Sequence, residues 1–113
     1  MAQLTLNLVQ GAVSFDFSED AAKQLQAEIS TLMRSLKAIA SATPGAGSRP
    51  VKQESMEYRY TGDVFLEIFC NPNIYPSPFA AKILLTLRDS HIRLTSEAEL
   101  TRLIEDLNIF LES

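Results

Sequence analysis

At 113 residues the chain is long enough for one compact domain and too short for two of ordinary size. Hydrophobic residues make up 46% and charged residues 21%, which excludes a disordered tail, and no uninterrupted apolar run approaches the ~18 residues of a membrane span. Acidic residues outnumber basic ones by 14 to 10, for a net charge of −4. The basic residues are scattered singly along the chain, and a polyanion must be gripped by Lys and Arg gathered on one surface, so a nucleic-acid partner is disfavoured.

The opening residues alternate with period two. Leu4, Leu6 and Leu8 point one way, Thr5 and Asn7 the other. Val13, Phe15 and Phe17 then alternate with Ser14 and Asp16. A two-residue turn at Gln10-Gly11 would pair Leu8 with Val13, Leu6 with Phe15 and Leu4 with Phe17, placing all six on one face of a hairpin. This start has no basic region and no long apolar segment of the secretory kind. Cys70 stands alone and cannot close an internal disulfide, so a reducing, cytoplasmic setting is expected.

Ser18 has the chemistry of an N-cap, and Glu19 and Asp20 follow where carboxylates favour the helix dipole. Ala21, Leu25, Ile29, Leu32, Met33, Leu36 and Ile39 recur at steps of three and four, which predicts an amphipathic helix of roughly six turns. It ends before a run of Gly, Pro and small residues, so a flexible loop is expected at about 42–53.

Met56, Tyr58 and Tyr60 alternate with Ser55, Glu57 and Arg59, and Val64 to Cys70 is strongly β-prone. A three-residue turn over Thr61-Gly62-Asp63 aligns Tyr58 with Leu66 and Met56 with Ile68. Phe65 and Phe69 then lie on the opposite face beside Glu57 and Glu67. A two-residue turn would exchange the faces; the longer turn is the preferred reading. Three prolines keep Asn71–Pro78 out of any regular element. Ile83, Leu85 and Leu87 next alternate with Lys82, Leu84, Thr86 and Arg88, and a turn at Asp89-Ser90 pairs Leu87 with Ile92 and Leu85 with Leu94. Ser96-Glu97-Ala98-Glu99 matches a capping box, followed by a stripe of Leu100, Leu103, Ile104, Leu107, Phe110 and Leu111.

The order is therefore β-β-α-β-β-β-β-α. The expectation is a single α+β domain over residues 1–113, with one antiparallel sheet of five to six strands and two amphipathic helices on one face.

Catalytic chemistry finds little support in this pattern. The thiol and imidazole candidates for nucleophilic catalysis are Cys70 and His91, and they fall at a strand end and a turn. One Cys and one His are too few for a structural zinc site. Gly45 and Gly47 follow a helix and precede a strand, the reverse of a phosphate-binding turn. No catalytic residue, metal or cofactor is expected. Ile74, Tyr75 and Phe79 alternate with prolines in an irregular segment, which would either fold back to plug a sheet end or present a docking surface. With Phe65 and Phe69 they form the candidate partner-binding set.

The stretch from Leu84 and Thr86 through Leu87-Arg88-Asp89-Ser90-His91-Ile92-Arg93-Leu94-Thr95-Ser96-Glu97 into the last helix resembles the strand-turn-strand-helix ending of small cyanobacterial proteins. The size, acidity and α+β layout are similar to those of dedicated assembly chaperones, such as one serving carboxysome shell proteins. The resemblance implies an assembly factor and transfers no site residue. The expected function is a non-enzymatic domain that captures a peptide or subunit of a larger complex on an open sheet face or edge, with no membrane insertion. The alternatives are a homodimer closed on itself without another partner, and a small-ligand domain or enzyme using Cys70 and His91.

Overall fold

The computed structural model describes residues 2–41 and 52–112; most of the loop expected at 42–53 lies outside them. The chain runs β1 (Ala2–Asn7), β2 (Ala12–Phe17), α1 (Glu19–Ala40), β3 (Met56–Thr61), β4 (Phe65–Cys70), a short 3-10 turn at Pro72–Ile74, β5 (Lys82–Arg88), β6 (Arg93–Glu99) and α2 (Leu100–Glu112). The class is α+β, but the single sheet expected from the pattern is two antiparallel sheets: the hairpin β1-β2, and β3-β4-β5-β6 in sequential order.

The split has a physical cause. The inner face of the hairpin, with Leu4, Leu6, Phe15 and Phe17 buried, packs against α2 instead of pairing with a strand. Among the described residues a backbone bond from the Val9 N–H to the Glu97 carbonyl at 3.0 Å links it to the edge of the larger sheet. The inner face of that sheet carries Met56, Tyr58, Leu66, Ile68, Ile83 and Leu85. It shares one core with Leu25, Ile29, Leu32 and Leu36 of α1 and Leu103 and Leu107 of α2. The Ser18 hydroxyl accepts from the Ala21 N–H at 3.1 Å and caps α1 as its chemistry predicts. The Tyr58 hydroxyl donates to the Ala21 carbonyl at 3.0 Å and ties the first turn of α1 to β3.

Each hairpin differs in register from its expected pairing by two residues. Leu4 pairs with Phe15 and Leu6 with Val13; Tyr58 pairs with Ile68 and Met56 with Cys70; Leu87 pairs with Leu94 and Leu85 with Ser96. The outer turns take four residues instead of two. They are closed by the Leu8 N–H on the Gly11 carbonyl and the Asp89 N–H on the Ile92 carbonyl. Gly11 sits at φ 93°, which favours glycine. The middle turn has three residues, as expected, but they are Gly62 to Val64. Because each offset is even, the side chains that remain in the paired strands keep their expected faces, but Leu8 and Ile92, expected to pair on the inner face, fall in the turns, and Ile92 is 64% exposed.

The capping-box reading of Ser96–Glu99 is incorrect. Those residues complete β6, where Ser96 lies opposite Leu85 and Glu99 opposite Lys82, and α2 begins at Leu100. The Leu100 N–H donates to the Ala81 carbonyl at 3.0 Å, so a strand start receives this helix end. The irregular reading of Asn71–Pro78 is refined by one turn. Pro72–Ile74 is 3-10, and the Asn71 side chain accepts from the Asn73 N–H at 3.0 Å.

Candidate functional site

β4 alternates strictly. Leu66, Ile68 and Cys70 are buried on the inner face, while Phe65, Glu67 and Phe69 are half-buried on the outer one. The register sets three cross-strand rows on that outer face. Glu57, Phe69, Leu84 and Glu97 form the first; Arg59, Glu67, Thr86 and Thr95 the second; Thr61, Phe65, Arg88 and Arg93 the third. Among the described residues both helices pack on the other side of the sheet, so this face is a strip of apolar groups set among charges.

Local geometry holds the strip in place. Arg88 lies over the Phe65 ring, 4.4 Å from its centroid, covering one side of the aromatic with a cation. Arg59 Nε donates to Glu67 at 2.8 Å and its guanidinium lies 3.9 Å from Glu57. Thr86, at the centre, is only 9% exposed although both described helices lie on the other side of the sheet. Leu84, beside Phe69, is 44% exposed. It was legible as an outward position from its alternation with Ile83 and Leu85, yet a leucine in an aliphatic run does not stand out as a contact residue.

The structure divides the expected partner-binding set. Phe65 and Phe69 share the outer face. Ile74 belongs to the 3-10 turn, which packs against α1 on the helix side. Tyr75 is half-buried against the core, where burial, followed by the nearby Cys70, pushes its phenol upward. Phe79 protrudes from the connection ahead of β5 and is 85% exposed. Asn73 anchors this connection: its side chain accepts from the Gln53 N–H at 2.8 Å and donates to the Gln53 carbonyl at 2.7 Å.

Cys70 and His91 are not brought together. Cys70 lies opposite Met56 at one end of the sheet, and His91 lies in the turn beyond the Phe65–Arg88 pair at the other. Five residue steps along β4 put them roughly 17 Å apart along the strand direction alone. The Cys70 thiol is buried and pushed up to about 11 by desolvation, the opposite of an activated nucleophile. Ser90 Oγ lies 2.8 Å from His91 Nδ1, but the Asp89 carboxylate bonds the backbone N–H groups of His91 and Ile92 instead of the imidazole ring. That cluster closes a turn. Among the described residues no three His, Cys, Asp or Glu side chains gather as metal ligands, and no helix is long and apolar enough to cross a membrane.

No family model, curated protein or solved structure matches the chain.

Proposed function

We propose that the protein is a non-enzymatic protein-binding domain whose contact surface is the outer face of the four-stranded sheet. One observation carries this reading: Phe65 at one end, and Phe69 with Leu84 at the other, stand on one sheet face across the polar row of Arg59, Glu67 and Thr86, with both described helices on the opposite side. The partner is a segment that lays aliphatic or aromatic side chains on these three residues and meets Arg88, Arg93 and Glu97 at its edges. Aromatic residues are the commonest anchors of a specific contact, and polar neighbours set its register. The resemblance of the chain's last quarter to small cyanobacterial proteins of the assembly-factor type extends the reading to a dedicated chaperone or adaptor for a subunit of a larger complex.

The test is site-specific photo-crosslinking in lysate of the source cells. A benzophenone side chain at position 69 or 84 should trap one dominant partner, and one at Ser30 on α1 should not. Phe65→Ser with Leu84→Ser should abolish the adduct formed from position 69 while leaving the fold intact, because neither side chain belongs to the buried core. Equal labelling from Ser30, or none from the sheet, overturns the reading.

A further inference from the structure

We propose that two copies of this chain join through the β3 edges of their four-stranded sheets, antiparallel about a two-fold axis at Tyr58. β3 is a terminal strand of that sheet. At the opposite edge the Glu97 carbonyl points off β6 and accepts from the Val9 N–H. Backbone bonding directions alternate from strand to strand along a cross-strand row. Glu57, at the far end of the Glu97 row, therefore turns its own N–H and C=O off the β3 edge. Arg59 and Thr61 follow at the same alternation and do likewise. Among the described residues nothing bonds these backbone groups. A row of unpaired donors and acceptors is a template for another strand.

The side chains select both the occupant and the register. Glu57 and Arg59 project from the outer face of this edge, with 59% and 64% of their side-chain surface exposed. Only registers that set odd-numbered residues opposite one another engage the outward backbone groups. An axis at Glu57 sets that carboxylate against its own copy, and an axis at Arg59 does the same to the guanidinium; like charges directly opposite repel. An axis at Tyr58 sets Glu57 opposite Arg59 of the second copy, and Arg59 opposite Glu57. Each of these pairs also exchanges both backbone bonds, while Ser55 meets Thr61 and Met56 meets Tyr60. Within one copy Arg59 bonds Glu67 at 2.8 Å and lies 3.9 Å from Glu57 of its own strand. The second copy adds a carboxylate directly across from it, on the side away from Glu67. The edge is thus complementary to itself, and the contact closes at two copies.

The course of α1 suits this pairing. The Tyr58 hydroxyl bonds the Ala21 carbonyl in the first turn of α1, whereas Leu32 and Ser35, further along the helix, share a cleft with Ser55 and Met56. α1 therefore starts at the level of the axis and runs antiparallel to β3. The two-fold sends the second α1 in the opposite direction, so the helices diverge from the axis instead of lying over one another. On the outer face the row of Thr86, Glu67 and Arg59 in one copy continues into Glu57, Phe69 and Leu84 of the second.

Sedimentation equilibrium of the full chain, together with amide hydrogen exchange by NMR, tests the proposal. Pairing of two edges buries little surface, so a dimer dissociating in the micromolar range is expected. The Glu57 and Arg59 amide hydrogens should exchange more slowly as protein concentration rises through that range. Glu57→Arg alone, and Arg59→Glu alone, set like charges opposite each other and should each raise the dissociation constant roughly tenfold or more. An equimolar mixture of the two variants should dimerise again, because every like pair is then replaced by an opposite one. A chain that stays monomeric at about 100 μM overturns the proposal. So does a dimer that is indifferent to Glu57→Arg, or one in which the Glu57 and Arg59 amides exchange as fast as in the monomer. A dimer abolished by Leu84→Ser also overturns it, by placing the second copy on the outer sheet face. Exchange is read on the unmodified chain, so the test survives a variant that fails to fold. The edge includes none of Phe65, Phe69 and Leu84, so the dimer and a partner crosslinked from position 69 are read independently.

Discussion

Asn7 and Asp106 are 99 residues apart in sequence and joined by two hydrogen bonds. The Asn7 backbone N–H donates to Asp106 Oδ2 at 2.8 Å, and its side-chain amide donates to Oδ1 at 2.9 Å. Asp106 is 4% exposed, and Arg102 on the preceding turn of α2 reaches the same Oδ1 at 3.4 Å. A buried carboxylate needs such partners, and here they clamp the end of β1 to the middle of α2. Asp106→Ala strands both Asn7 donors and leaves Arg102 with Glu105 at 3.6 Å as its other ion-pair partner. It should cost about 2–3 kcal/mol in urea unfolding, the range for a charged hydrogen bond lost with its partner left buried. Asn7→Ala removes the side-chain bond but keeps the backbone one, so its loss should be smaller. Equal losses would show that the backbone bond contributes nothing.

Phe17 is where the hairpin, the large sheet and α2 meet. Its ring is fully buried and edge-on to Tyr60 at 4.7 Å, Phe15 at 5.7 Å and Phe110 at 6.1 Å. Phe17→Ala leaves a cavity bordered by three separate elements, none of which can collapse without moving the others. The expected loss is about 3–5 kcal/mol by chemical unfolding. Phe17→Leu keeps most of the volume and should lose much less. If the two variants unfolded at the same denaturant concentration, the ring would not be the joint described.

Much of this architecture was legible in the sequence, and what was missed has a common cause. Alternation identifies which face a residue takes, and it did so for Met56, Tyr58, Leu66, Ile68, Phe65 and Phe69. It cannot separate registers that differ by two, because every side chain then keeps its face. Local turn chemistry decides between them: the Asp89 carboxylate collects two N–H groups of a four-residue turn that Asp89-Ser90 alone does not announce. The S-x-x-E pattern at Ser96 misled because pairing with β5 satisfied the same backbone groups in a ladder, and Leu94 and Ala98 already alternated towards the core. Division into two sheets was out of reach, since an amphipathic hairpin buries its face equally well on a helix or beside a strand. For the same reason Ile74 and Phe79 could be read as candidate contact groups, but the packing of the Ile74 turn against α1 could not be foreseen.

Two buried acids should make the protein sensitive to alkali. Desolvation raises Cys70 from 9.0 to about 11, and desolvation followed by the neighbouring Tyr60 raises Tyr58 from 10.0 to about 12. Each group holds its proton more tightly folded than unfolded. Its stabilising contribution is therefore complete below the unfolded value and is lost as pH climbs to the folded one. Unfolding free energy should be flat near neutrality and fall between about pH 9 and pH 12. Tyr58→Phe forfeits the bond to the Ala21 carbonyl, about 1 kcal/mol at neutral pH, and should flatten the upper part of that fall. The native thiol should also resist iodoacetamide until the protein is unfolded. A wild-type curve that stays level across this window would contradict the burial argument for both groups.

At the acid end the relevant group is Asp89. The His91 and Ile92 N–H groups, at 2.7 and 2.8 Å, hold its carboxyl below the usual value of 3.8. A carboxylate stabilised in this way contributes fully above its unfolded pKa, and the contribution disappears as pH falls through the lower folded one. Asp89→Ala removes the acceptor from the β5–β6 turn. The variant should melt below the wild type at neutral pH, and the two melting temperatures should converge as pH drops below 3.8. Asp89→Asn keeps a neutral acceptor, so it should fall between the two at neutral pH and follow a flatter acid profile. Because the turn also positions Arg88 and Arg93 at its two ends, the Ala variant should loosen the Arg88 stack on Phe65. That loosening is readable as a change in the Phe65 ring resonances by NMR. A gap between wild type and Asp89→Ala that stayed constant through the acid range would mean that the turn does not draw on the charge of this carboxylate.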